Sequence, residues 1–194
     1  LENNLISLAT PIDDTPVSYG GWTPQNYHGE NVGISNPRDG IKQSSNTVAV
    51  KVASYVGEGT MVDFGKKFGL NLIDEDKNLT LALGATKGGQ TPKNIAGAYS
   101  ALSRNGEYIC PSFIRFVTKN NQKIYTTAQD KRKVISNATA FLLNDCLIDT
   151  AKTGTAKTLS SLPFSLASKT GTVQDTENSS INTDAWNVSY NNKF

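Results

Sequence analysis

The chain has 194 residues, 37% of them hydrophobic, enough for one core and one domain. A net charge of +2 with scattered basic residues leaves no nucleic-acid footprint, and no stretch approaches the ~20 apolar residues of a membrane span. One histidine and two cysteines without zinc or redox spacing give no reason to expect a metal, and no cofactor is expected.

Residues 1–40 are rich in Gly, Pro, Asn and Asp, with Tyr19, Trp22 and Tyr27 interspersed. They predict irregular backbone pinned by aromatic side chains. His28, in the polar stretch "NYHGEN", reads as a surface residue rather than a catalytic base. Residues 41–160 read as mainly helical. In "SSNTVAVKVASYVGEG", Val48, Val52, Tyr55 and Val56 share one face, and Gly57 ends the helix. In "GTMVDFGKKFGL", Met61, Phe64 and Phe68 do the same before Gly69. "TPKNIAGAYSALSRNG" has Thr91 as its cap, Pro92 in the first turn, Ile95, Ala98, Tyr99 and Leu102 as its stripe, and Gly106 as its close.

A hairpin is expected near 112–126: "SFIRFVT" is β-rich, Asn120-Asn121 supplies the turn, and "QKIYTT" returns. The run Lys131-Arg132-Lys133 reads as a solvated helix start. A helix follows over 136–149, with Leu143, Cys146 and Leu147 on one side. Cys110 and Cys146 read as two buried free thiols. Residues 161–194 read as antiparallel strands: one over 164–173, a polar loop over 175–183, then "DAWNVSY" with Trp186, Val188 and Tyr190 on one face. Helices first and an antiparallel pair last give an α+β order.

The word Lys-Thr-Gly-Thr occurs twice, at 152–155 and at 169–172. The first copy ends a helix. Lys152 complements the helix C-terminus and Gly154 stops it, so the copy is read as lying outside any site. The second lies in an alternating stretch. A glycine inside a strand packs nothing and often marks the approach of another backbone or a ligand. Lys169 places a cation beside Gly171, and Thr170 and Thr172 present hydroxyls to one face. Such a strand edge can accept an extended peptide by main-chain pairing, while the lysine and hydroxyls hold a carboxylate or an oxyanion.

"WTPQNY" at 22–27, "SSNTVAVKVA" at 44–53, "LALGATKGGQTPKNIAGAYSALSRNGEYICPSFI" at 81–114 and "SKTGTVQD…NTDAWNVSY" at 168–190 occur in that order. Together they resemble the transpeptidase domain of penicillin-binding proteins, specifically the high-molecular-mass bifunctional kind from Gram-positive bacteria. The resemblance covers nearly the whole chain. It implies the penicillin-binding protein/serine β-lactamase-like fold, a helical lobe plus an antiparallel sheet, here incomplete at both ends. The family carries three signatures, S-x-x-K, S-x-N and K-T-G. S-x-N falls on Ser44, Ser45 and Asn46, and K-T-G-T on Lys169, Thr170, Gly171 and Thr172. "SSN" is also a sound helix cap. No serine here has lysine three residues on. In the family that motif lies ahead of the segment that begins here, and a further strand and helix follow "DAWNVSY". The nucleophile is therefore expected outside this chain.

For the intact parent, the resemblance implies a serine-type D,D-transpeptidase that cross-links peptidoglycan. Its partners would be D-Ala-D-Ala stem peptides, β-lactam antibiotics and the remaining fragment of its own domain, with no nucleic acid. Ser44 is expected as a proton relay, Asn46 on the substrate's peptide carbonyl, and Lys169 near the nucleophile. Thr170 and Thr172 are expected on the substrate carboxylate, with the Thr172 amide in the oxyanion hole. The implied location is the extracellular face of the cytoplasmic membrane, anchored through a segment not present here. This chain alone is expected to be inactive. A non-catalytic cell-wall scaffold module and a serine β-lactamase or β-lactam sensor domain are the alternatives.

Overall fold

The computed structural model describes residues 1–27, 29, 32–175 and 181–191. Two short strands, β1 (Ile12–Asp13) and β2 (Ile34–Ser35), pair antiparallel and lead into α1 (Pro37–Gln43) and α2 (Asn46–Val56). Gly57, at φ 87°, separates α2 from α3 (Glu58–Lys67). Two 3-10 turns, Asp74–Asp76 and Leu79–Leu83, connect to α4 (Pro92–Ser103). Thr91 caps α4 by accepting from the Asn94 amide, and Pro92 fills the first turn, where no donor is needed.

Strands β3 (Glu107–Ile109) and β6 (Lys131–Lys133) pair antiparallel. Between them protrudes the hairpin of β4 (Phe116–Lys119) and β5 (Gln122–Thr126). Its turn residues Asn120 and Asn121 both lie in the left-handed region, at φ 51° and 60°, as a two-residue hairpin requires. The basic run at 131–133 is thus strand β6, not a helix start. Its register pairs Lys133 with Glu107, and the Arg132 guanidinium stacks over the Tyr108 ring. Helix α5 (Asn137–Thr153) is capped by Ser136 and runs four residues beyond the expected 149. A 3-10 turn, Lys157–Ser161, leads to β7 (Ala167–Gln174), which pairs antiparallel with β8 (Asn182–Tyr190). β7 starts later than the expected 164, because Leu162–Ser165 is exposed and adds no pairing before Ala167. The expected polar loop over 175–183 falls largely outside the described residues, as does His28.

The main core joins α4, β3, α5, β7 and β8 through Ala101, Leu102, Tyr108, Val134, Ile135, Ala140, Leu147, Ala167 and Tyr190. Tyr190 meets Tyr99 edge-to-face at 6.3 Å, and its hydroxyl donates to Asn144 Oδ1 at 2.6 Å. Burial raises the Tyr190 phenol well above its usual range, so it remains a neutral donor. The faces of α4 and α5 follow the sequence pattern, as does the inward face of Trp186, Val188 and Tyr190 on β8. Helix α2 does not. It buries Thr47, Val48, Val50, Lys51 and Ala53, while Tyr55 is exposed. The Leu79–Leu83 turn, α1, α3 and the N-terminal strand all pack on α2, so its buried face is wider than one apolar stripe. Cys146 is buried, but Cys110 is exposed, contrary to expectation, and neither forms a disulfide.

Arg38 fixes α1 on α5. Its guanidinium bridges Asp145 and Asp149, both at 2.5 Å, one helical turn apart on α5. These carboxylates raise the Arg38 pKa further. All three side chains are about one-third to one-half exposed, so screening limits the stabilisation. Arg38→Ala is expected to lower stability by about 1 kcal/mol in urea unfolding. The difference should shrink in molar salt; an unchanged midpoint would show that α1 is held by packing alone.

Candidate active-site cleft

Two corners of the chain meet here. The first is the junction between α1 and α2. Ser44 ends α1 with φ 57° and ψ 44°, and its N–H bonds back to the last turn. A serine in this left-handed region is disfavoured by roughly 1–2 kcal/mol, so its surroundings must hold it there. Ser45 then caps α2, its hydroxyl accepting from the Val48 amide at 3.2 Å. A Cβ on Gly40 would collide with the Val48 side chain, so the two helices approach this closely only with glycine at that place.

Asp14, just after β1, braces this corner from beneath. It is 2% exposed. Its carboxylate accepts from Ser45 Oγ at 2.9 Å, from Thr47 Oγ1, from the Val32 amide at 3.1 Å and from Asn26 Nδ2 at 3.4 Å. Burial alone would push its pKa up, but these donors outweigh it and hold the carboxyl below its usual range. Asn26 adds a second brace, its Oδ1 accepting from the Asn46 amide at 2.8 Å. Asn46 Nδ2 donates to the Gln25 carbonyl at 2.7 Å. This polar network helps to pin the segment ahead of α1. Of the aromatics expected to do so, Tyr27 is 61% exposed, while Tyr19 is half-buried and paired through its backbone with Trp22.

The second corner is β7. Its register places Lys169 opposite Val188, Thr170 opposite Asn187, Gly171 opposite Trp186 and Thr172 opposite Ala185. Its other edge pairs with no strand among the described residues. Gly171 and Thr172 are exposed, while Lys169 and Thr170 are half-buried. Beneath them Ser168 is fully buried and hydrogen-bonded to Ser189 and to Asn187.

The corners touch through Lys169, whose Nζ donates to Ser44 Oγ at 2.7 Å and to the Thr170 carbonyl at 2.9 Å. Burial pulls the Lys169 ammonium below the ordinary lysine range. No carboxylate pairs with it among the described residues. The structure thus brings Ser44 and Lys169 into contact and sets Thr170, Gly171 and Thr172 along the adjoining open edge. Asn46 lies on the same corner, its amide nitrogen committed to Gln25. Chemically, the arrangement supplies a hydroxyl that can pass a proton, an unpaired cation, and main-chain and hydroxyl donors for an anion. Four contributors leave no local signal in the sequence. Asp14 acts over more than 30 residues and left no local pattern. Asn26 and Gln25 lie inside "WTPQNY", which carries part of the family resemblance but no sign of a supporting role. Thr155 belongs to the first Lys-Thr-Gly-Thr, expected outside the site, yet its hydroxyl lies 2.7 Å from that of Thr170.

The penicillin binding protein transpeptidase domain family matches residues 1–193. Penicillin-binding protein 1A/1B of Bacillus subtilis is 30% identical over all of this chain and 22% of its own length. Penicillin-binding protein 1A of Neisseria lactamica is 28% identical over 96% of this chain and 24% of its own length. The likeness therefore does not single out Gram-positive bacteria. The PonA1 protein from Mycobacterium tuberculosis, solved in complex with penicillin V, superposes with a TM-score of 0.83 at 25% identity, over 98% of this chain and 54% of that one. The chain spans about a quarter of the length of these curated relatives.

The brace beneath Ser45 is testable by pH. Asp14→Asn should lower stability at neutral pH by about 2 kcal/mol, since donors aimed at a buried carboxylate lose it. The carboxylate's contribution is present above its ordinary pKa of 3.8 and lost as pH falls below that, through the lower folded value. The gap between wild type and variant should thus close below pH 3.8 in urea titrations; a constant gap would exclude a charge-dependent brace.

Proposed function

Because the chain belongs to the penicillin-binding protein transpeptidase domain family, we propose that it forms the S-x-N and K-T-G-T side of a serine-type D,D-transpeptidase cleft. The observation that carries this reading is the 2.7 Å contact between Lys169 Nζ and Ser44 Oγ, which joins two motifs 125 residues apart. The nucleophilic serine and its lysine base lie on a segment outside this chain, since no serine here has lysine three residues on.

The nucleophile attacks the penultimate D-Ala carbonyl of a peptidoglycan stem peptide. The tetrahedral intermediate collapses to an acyl-enzyme and D-Ala leaves with a proton. The amine of a second stem then attacks the ester, and the serine is regenerated. Ser44 and Lys169 manage the proton near the nucleophile. The lowered Lys169 pKa suits this, because proton transfer is easiest from a group poised nearer neutrality. Asn46 keeps one Nδ2 hydrogen on the Gln25 carbonyl and offers the other to the substrate's peptide carbonyl. Thr170 and Thr172 hold the terminal carboxylate, and the Thr172 amide faces the developing oxyanion. Gly171 leaves room for the peptide to lie along β7. A β-lactam, which carries a carboxylate beside a strained amide, enters the same way and acylates the same serine.

No helix of the described residues is long and apolar enough to cross a membrane. The proposed place of work is the extracellular face of the cytoplasmic membrane, where peptidoglycan is cross-linked, with the parent anchored there. On this reading the chain alone is inactive and joins the rest of its domain to complete the cleft.

Fluorescent penicillin provides the test. The parent protein should be labelled covalently, and this chain alone should show no mass shift. Lys169→Ala in the parent should slow labelling by about 10²–10⁴-fold, the usual worth of a positioned proton-transfer group. A parent that stays unlabelled, or a Lys169→Ala variant as fast as wild type, would overturn the assignment.

A further inference from the structure

The two Lys-Thr-Gly-Thr words converge in space. Thr155 Oγ1 and Thr170 Oγ1 lie 2.7 Å apart, close enough for one hydrogen to be shared between them. Each hydroxyl has one hydrogen to give. If Thr170 donates to Thr155, it presents only lone pairs to the cleft. If Thr155 donates to Thr170, the Thr170 hydrogen is released to point outward. A carboxylate arriving on β7 favours the second arrangement, and the chained hydrogen bonds reinforce each other.

Thr155 is well placed to impose that choice. The last turn of α5 holds its neighbours: the Gly154 and Ala156 amides both donate to the Thr150 carbonyl, at 3.1 and 3.2 Å. Ala156 is buried. The Thr155 amide donates to the Lys42 carbonyl at 3.2 Å, two residues before Ser44. A Cβ on Gly154 would collide with that same carbonyl oxygen, so glycine there is what lets the end of α5 reach the end of α1. One residue is thus tied by its backbone to the Ser44 corner and by its hydroxyl to the strand that carries Lys169.

Resting on the transpeptidase reading, we infer that Thr155 is a positioning residue for anionic ligands. It orients the Thr170 hydroxyl to donate to the ligand's carboxylate and sets the spacing between β7 and the Ser44 corner. Thr155 itself does not touch the ligand.

The test uses the parent protein, with acylation kinetics separated into a binding step and a chemical step. The probes are a penicillin with its free carboxylate and the methyl ester of the same compound. Thr155 is exposed and valine matches its shape, so Thr155→Val should fold normally. Thr155→Val should weaken binding of the free acid about three- to tenfold, the range for one oriented hydrogen bond, with a smaller change in the chemical step. Thr155→Ser should restore binding. The ester, which offers no charge to grip, should bind wild type and Thr155→Val alike. The double variant Thr155→Val/Thr170→Val should bind no worse than Thr170→Val, because one residue acts through the other. Unchanged free-acid binding in Thr155→Val, equal losses for acid and ester, or multiplying losses in the double variant would each overturn the inference. Those outcomes in a wild type that labels normally leave the transpeptidase reading standing; a wild type that does not label sinks that reading instead.

Discussion

The left-handed backbone of Ser44 is the constraint on which the cleft depends. An ordinary residue at φ 57° is uphill, and here it is also the pivot between two helices. The turn directs the Ser44 hydroxyl at Lys169 rather than leaving it along the helix axis. What holds it is distributed. Gly40 admits Val48 against α1, Ser45 caps α2, Asp14 and Asn26 collect the donors beneath, and Arg38 fastens α1 to α5. A strained residue surrounded by so many satisfied ones is the pattern of a geometry fixed in advance of its ligand.

Helix α5 is the common spine. Its acidic turn receives Arg38 and so locates α1. Its apolar side, with Leu147 and Ala140, packs in the core with Ala167 and Tyr190 and so locates β7 and β8. Its end carries Thr155 to Thr170. The two corners of the cleft, far apart in sequence, are therefore both referenced to one rigid element. Displacing α5 would move Ser44 and Lys169 together rather than apart.

What the sequence made legible was local. Thr91-Pro92 and Ser136 announce helix starts because capping chemistry acts within four residues. Asn120-Asn121 announces a turn because few residue pairs accept two positive φ values. "SSN" and the second Lys-Thr-Gly-Thr stood out through the family resemblance as well as through their chemistry. What remained hidden was long-range. The pairing of β3 with β6 spans an inserted hairpin, and Lys131-Arg132-Lys133 has no alternation to betray a strand. The wide buried face of α2 depends on what covers it, which no periodicity in α2 encodes. Asp14 resembles any turn aspartate until Ser45 and Thr47 are brought to it.

The repeated word shows why identical residues took different roles. At 152–155 the four residues straddle a helix end, so the lysine is exposed and Gly154 packs against a carbonyl. At 169–172 they lie in a strand whose free edge faces the Ser44 corner, so the lysine is half-buried and Gly171 remains exposed. Lys169 is then a cation partly removed from water, satisfied among the described residues by a hydroxyl and a carbonyl. Asp14, similarly removed from water, gathers its donors and is content without a ligand. A buried charge lacking a counter-charge is unfavourable unless something supplies one. In this cleft the open side of Lys169 is the edge along which Thr170 and Thr172 present their hydroxyls. An anion arriving there would relieve the desolvated ammonium, a demand that the solvated Lys152 of the helix-end copy does not make.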